Sequence, residues 1–257
     1  MGLKLLATLA AAGALATTPA AYLQSQQQAD GGWGSPQLTA WSVLGLRAAG
    51  EDTGGAVDYL VARESQLSTP TQLALVACAE AAAGHDASSL LARLPAKPTA
   101  VNDAIWKIFA LLQSRRAVSK TLGSYVKGAQ ARSGGFPWTK GTAPDSNTTA
   151  WAVQALEASG VHGAPITRAL AYLRRLEAPN GGFRLQAARA PDAQSTALAI
   201  QAFIAAQARV PAKAFAFLAS LRRPDGSYRY SRAYATTPVW VTAQVLPALV
   251  RKALPLR

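Results

Sequence analysis

Cysteine is almost absent: Cys78 is the only one in 257 residues. A lone cysteine forms no internal disulfide. That fits a bacterial export route, where disulfides are optional, better than a secreted eukaryotic domain. Histidine is nearly as scarce, with His85 in a polar turn and His162 elsewhere. With one cysteine they make no ligand set at the spacing zinc needs, so no metal and no other cofactor is expected. Acidic residues are few, 13 against 26 lysines and arginines, for a net charge of +13. No Pro/Gly/Ser-rich linker interrupts the chain, so its length is read as one domain. Runs that alternate apolar and polar residues with period two are also scarce, which argues against a sheet.

What the chain does have is repetition. Gly31-Gly32-Trp33, Gly134-Gly135-Phe136, Gly181-Gly182-Phe183 and Asp225-Gly226-Ser227-Tyr228 each close an amphipathic stretch and precede a second, apolar one. Three of the second stretches read alike: "LTAWSVLGLRAAG" from Leu38, "TTAWAVQALEASG" from Thr148 and "STALAIQAFIAA" from Ser195. Self-similarity at this period signals stacked helical hairpins, because one hairpin cannot bury its own apolar face. Aligned on a threonine, Thr39, Thr71, Thr149 and Thr196 share a column, which Asp103 and Val239 fill in two weaker copies. Two places on, the column reads Trp41, Leu73, Ile105, Trp151, Leu198, Val241. Apolar residues so spaced mark one helix face.

Six hairpins follow. First helices are expected near 21–28, 56–67, 87–94, 121–131, 165–177 and 211–222. Second helices are expected near 37–49, 70–83, 100–113, 147–159, 194–207 and 238–250. Alanine and leucine dominate these stretches, and both favour helix. Pro36, Pro70, Pro144, Pro191 and Pro238 fall near the starts of second helices, where a missing N–H costs nothing. Gly50, Gly84 and Gly160 follow apolar runs, where a C-terminal cap sits.

The first repeat places Tyr22-Leu23, Gln27, Gly31 and Trp33 in the pattern aromatic-Leu-x3-Gln-x3-Gly-x-Trp. It resembles the QW motif of terpene cyclases and, more widely, the prenyltransferase and squalene oxidase repeat family. The fourth copy keeps Tyr125, Gln130, Gly134 and Phe136, with Val126 for leucine. The fifth keeps Tyr172, Leu173, Gly181 and Phe183, with Glu177 for glutamine. The sixth keeps Phe217, Leu218, Gly226 and Tyr228, with Arg222 for glutamine. The resemblance implies an all-α fold, a single α/α toroid with six inner helices ringed by six outer ones. The motif residues are expected to be architectural: the glutamine ties an outer helix to the next repeat, the glycines turn, and the aromatic fills the gap.

The chemistries associated with this fold lack their signatures. Class II terpene cyclases protonate their substrate with an aspartate of a D-x-D-D motif, which is absent. The nearest carboxylates stand singly: Asp103 in "AVNDAIW", Asp145 in "APDSNTT" and Asp192 in "APDAQST". Asp145 and Asp192 read first as helix N-caps. All three remain candidate acids, because they sit at second-helix starts that a toroid brings to one rim. The zinc set of the protein prenyltransferases is missing, and Cys78-Ala79-Glu80-Ala81 is not the Cys-Gly-Glu-Gln of thioester domains. Trp41, Trp106, Trp151 and Trp240 lie on second helices, where they either fill the ring core or line a ligand cavity. Trp106 and Trp240 are offset from the column of Trp41 and Trp151 and need not face the same cavity.

Residues 1–20 have the form of a secretory signal peptide: Lys4, an apolar stretch, then small residues offering a cut between Ala16 and Ala20. The toroid is then expected over 21–257, in a secreted or cell-envelope protein. The alternative is an extra helix or an uncleaved anchor. The basic charge reads as a solvated outer face, or as a patch for an anionic membrane surface or cell-wall polymer. No nucleic-acid-binding motif accompanies it, so nucleic acid is not expected as a partner. The function read from the sequence is binding of an apolar, isoprenoid-like small molecule or an envelope partner without evident catalysis. The rivals are a divergent terpene cyclase-like isomerase and a purely structural module.

Overall fold

The computed structural model describes residues 17–256. Of the leader expected over residues 1–20, residues 1–16 lie outside the described residues, and Pro19 and Ala20 begin the first helix. Helices pair along the chain as hairpins: α1 (Pro19–Ser25) with α2 (Pro36–Ala48), α3 (Ala56–Val61) with α4 (Pro70–Ala82), and α5 (Ser88–Arg93) with α6 (Val101–Gln113). Then come α7 (Lys120–Lys127) with α8 (Ser146–Ala158), α9 (Ala164–Arg175) with α10 (Ala193–Ala205), and α11 (Ala214–Ala219) with α12 (Pro238–Leu249). The even-numbered helices pack in succession, α2 on α4 through to α10 on α12, and α12 returns to α2. That closes an inner ring. The odd-numbered helices lie outside it in the seams: α1 touches α12 and α2, α3 touches α2 and α4, and α9 touches α8 and α10. The fold is the α/α toroid.

The inner helices are buried nearly all round, as helices enclosed by a second layer must be. In α10 every residue from Ala193 to Phe203 is buried. Small residues let such helices approach closely. At the seam that closes the ring, a Cβ on Gly45 of α2 would lie 2.6 Å from the carbonyl oxygen of Ala243 on α12.

Caps set the element ends. Ser35 and Thr69 cap α2 and α4 through their hydroxyls, and Pro36 and Pro70 follow as first helical residues. Asp145 and Asp192 cap α8 and α10. Beyond the C-terminal ends, Gly50, Gly84 and Gly160 have φ of +78°, +88° and +78°. The residues after them donate back to the Leu46, Glu80 and Leu156 carbonyls. The other three inner helices end in the same way without glycine: Arg115, Gln207 and Arg251 take the left-handed conformation there. The following N–H groups reach Leu111, Phe203 and Pro247. Two outer helices are shorter than the sequence pattern suggests. The expected 56–67 divides into α3 and a 3-10 turn at Glu64–Gln66, and the expected 211–222 contracts to Ala214–Ala219. Among the described residues the one ladder, Phe136–Pro137 (β1) against Pro144–Asp145 (β2), is a two-residue antiparallel clasp in the loop before α8. So small a ladder agrees with the expectation of an all-α fold, and it forms because the long loop needs partners for its own backbone.

The repeat motif ties each hairpin to the next. Gln27 Nε2 donates to the Gly31 carbonyl at 2.7 Å and to the Thr53 carbonyl of the next repeat at 2.9 Å. Gln130 does the same with Gly134 and Pro165. Arg222, in the glutamine position of the last repeat, donates to the Thr17 carbonyl and so reaches the first. The aromatic N–H is received by a threonine of the following inner helix: Trp33 by Thr39, Phe136 by Thr149, Phe183 by Thr196 and Tyr228 by Thr242. The sixth partner is therefore Thr242, not Val239. In α4 and α6 no such loop precedes the helix, so no threonine is held to that register. Thr71 and Asp103 instead bond to each other, Thr71 Oγ1 donating to Asp103 Oδ1 at 2.7 Å.

Candidate functional site

The first two turns of all six inner helices converge on one cavity of about 460 Å³. Trp41, Trp106 and Trp151 occupy the sixth position of α2, α6 and α8, and Leu75 the same position of α4. Their rings meet. Trp41 stands edge-on to Trp106 at 5.2 Å and stacks on Trp151 at 6.1 Å, while Trp106 and Trp151 are 5.6 Å apart. Trp240 joins them from α12, and Trp138 borders the cavity from the loop before α8, 49% exposed. A second lobe of about 460 Å³ continues past Trp41, Leu75 and Trp240 toward Ser35 and Pro238. Five of the six tryptophans thus surround one connected space. Trp106 and Trp240 face the same cavity as Trp41 and Trp151: the offset read for Trp106 disappears, while Trp240 reaches the cavity from the third position of α12. The caps fix the true register: Leu75 and Trp106, not Leu73 and Ile105, match Trp41.

The three candidate carboxylates do not come together. Asp145 lines the tryptophan cavity. Its Oδ1 accepts from the Thr148 N–H at 2.8 Å and its Oδ2 from the Thr148 hydroxyl at 2.9 Å. Burial lifts its pKa above the usual carboxylate value, against the pull of those hydrogen bonds. Beside it, Tyr172 donates to the Pro144 carbonyl at 2.8 Å. Burial, with the Asp145 charge adding, pushes that phenol up to about 12. Asp192 caps α10 in the same manner through Ser195, and its pKa is likewise raised by burial. It opens on a separate hollow of about 240 Å³ with Tyr230 and Tyr234. Asp103 sits in the first turn of α6, not at its cap, and accepts from Thr71, Thr99 and the Ala100 N–H. Among the described residues no three His, Cys, Asp or Glu side chains are grouped to hold a metal.

The remaining polar lining is amide and hydroxyl. Asn147 and Gln194 hold the second position of α8 and α10, each two residues after a cap aspartate. Gln244 lies one turn beyond Trp240 on the same face of α12, 1% exposed, and its side-chain amide has no hydrogen-bond partner among the described residues. The Trp151 Nε1 is also buried without a partner. Sequence reasoning named Trp151 but passed over Asn147, Gln194 and Gln244. For Gln244 the available signal was one glutamine in the largely apolar "PVWVTAQVLPAL".

The other end of the ring is closed by the C-terminal segment. The Leu254 N–H donates to Gln154 Oε1, while Leu256 exchanges both backbone bonds with the Gln113 amide. The cavity is therefore open to the rim of helix N-termini.

No protein-family model and no curated protein matches this sequence. Solved structures do match its shape. The type II terpene cyclase MstE from Scytonema superposes with a TM-score of 0.69 at 16% identity, over 90% of this chain and 95% of that one. The ent-copalyl diphosphate synthase from Streptomyces platensis gives 0.57 at 18%, over 84% of this chain and 50% of that one. A glycosidase in complex with glucose gives 0.63 at 14%, over 91% and 94%. What the chain shares with these proteins is architecture, and that architecture is the terpene cyclase-like α/α toroid.

Proposed function

We propose that the protein is a divergent terpene cyclase-like isomerase that takes an isoprenoid-like apolar chain into the tryptophan cavity, with Asp145 as its acid. The observation that carries the reading is the convergence of Trp41, Trp106, Trp151 and Trp240 around one space with a single carboxyl on its wall. Ring faces attract positive charge, so such a lining suits a carbocation as well as an apolar chain. The cavity volume lies within the range of ordinary ligand pockets, roughly 300–1,000 Å³. The R337A variant of MstE has been seen in complex with its substrate geranylgeranyl dihydroxybenzoate, which supports an isoprenoid-like ligand for a toroid of this kind. In the proposed step the Asp145 proton adds to an alkene carbon and leaves a cation on its neighbour. Ring closure moves the charge, an adjacent carbon then gives a proton to solvent, and solvent returns one to the Asp145 carboxylate, so the reaction is a net isomerisation.

The test is tryptophan fluorescence titration with a prenyl chain, together with product analysis of the same mixture. Asp145→Asn keeps the helix cap, since asparagine caps as well as aspartate. It removes the acid, which should lower turnover ~100-fold or more while quenching persists. No quenching by any prenyl chain would overturn the reading. Quenching without product in the parent would leave a binding protein and remove the catalytic half.

A further inference from the structure

Resting on that reading of the cavity, we infer that its ligand is an uncharged isoprenoid bearing a hydroxyl at its inner end, recognised by the Gln244 amide and the Trp151 indole N–H. Two independent observations lead there. The first is the polar pair itself. Gln244 is 1% exposed, it lines the cavity, and both its Oε1 and its Nε2 lack a hydrogen-bond partner among the described residues. Its backbone is already engaged, its carbonyl accepting from Gln201 Nε2 at 3.2 Å. A buried amide left unpaired is costly, and a group that pairs it gains correspondingly. A hydroxyl both donates and accepts, so it serves the amide oxygen and the amide nitrogen, whereas a hydrocarbon serves neither. Trp151 Nε1, also buried and unpartnered on the same cavity wall, adds a further donor for the same kind of oxygen.

The second observation is the absence of cations from the wall. The chain carries +13, yet neither lobe is lined by a single lysine or arginine. A diphosphate needs charge-assisted donors or a free helix N-terminus. The N-termini of α8 and α10 are already taken by the side chains of Asp145 and Asp192, and that of α2 by Ser35. The α12 helix opens on the second lobe without a side-chain cap, but its first residue, Pro238, has no N–H to offer. In the wall of either lobe a diphosphate would find no cation to offset its charge.

The experiment uses the full chain and three probes with one carbon skeleton: farnesol, farnesyl diphosphate and farnesene. Tryptophan quenching reads their affinities directly. Farnesol should bind ~10-fold or more tighter than farnesene, the discrimination expected of a site whose buried polar groups need a partner. The diphosphate should bind most weakly. Gln244→Met should bring farnesol down to farnesene and leave farnesene unchanged. Equal binding of alcohol and hydrocarbon in the parent overturns the hydroxyl assignment but leaves the isoprenoid cavity standing. Preferred binding of the diphosphate, or an equal loss for all probes in Gln244→Met, likewise overturns it. Failure of all three probes to quench removes the isoprenoid reading, and this inference with it.

Discussion

Glu80 lies on α4 fully shielded from solvent, and neither of its carboxylate oxygens has a hydrogen-bond partner among the described residues. Burial, with the charge of Glu64 adding, pushes its pKa up to about 8. An unfolded glutamate titrates near ~4.3. Between these values the folded state holds a proton that the unfolded state has lost, so stability falls as pH rises. The slope is about 1.4 kcal/mol per pH unit, and it levels off above the upper pKa. Asp145 and Asp192, also raised by burial, act in the same direction. Urea melts across this range should show the parent losing stability toward pH 8. Glu80→Gln should show a much shallower slope. An unchanged slope in the variant would place the effect elsewhere. Cys78, two residues away and buried, has its thiol pushed up to about 12 and stays protonated throughout.

The elements were largely legible because their ends are written in local chemistry. Pro36, Pro70 and Pro238 begin helices, and Gly50, Gly84 and Gly160 follow their ends. What was not legible is register where a cap departs from the pattern. Ala100 offers no side-chain oxygen, so Asp103 reaches back to its N–H from inside α6, and aligning Asp103 with threonines elsewhere slides Trp106 off its column. Thr237 enters α12 in the left-handed conformation, which likewise hides that Thr242 is the repeat threonine. The cap role of Asp145 was legible from its spacing. Its place on the cavity wall was not, since that follows from packing between repeats. The glycine loops offer a test at this scale. Gly181 has φ +86°, and a Cβ there would sit 2.4 Å from the Lys213 Cβ in the next repeat. Gly160 has φ +78° with nothing within 4 Å. Gly160→Ala therefore carries only the backbone strain, about 1 kcal/mol. Gly181→Ala carries the clash as well and should cost roughly 2–4 kcal/mol. Equal shifts in thermal melts would mean the loop does not bear on the neighbouring repeat.

At the scale of the molecule, much of the basic charge serves the backbone. Arg93 donates to the Glu64 and Leu67 carbonyls, Lys107 to Pro95, Arg175 to Ser133, and Lys213 to Pro179. Few acidic partners are needed when cations hold carbonyls at loops and helix ends. All but the Lys107 bond, which lies within its own hairpin, link neighbouring repeats, as do the motif glutamines, and the chain of links runs through Arg222 and Thr17 back to the start. A linear stack of repeats has frayed ends, each stabilised from one side only. A closed ring has none, so its seam between α2 and α12 should be as firm as any other. Gly45 is the weak place to probe it, because a side chain there meets the Ala243 carbonyl at 2.6 Å. Gly45→Val should cost about 1–3 kcal/mol through overpacking. It should also create two new ends at once. Hydrogen exchange should then quicken in α2 and α12 together, and in α1 between them, while α6 on the far side keeps its protection. Quickening confined to α2 would mean that α12 draws no stability from the contact, and the ring would behave as an open stack.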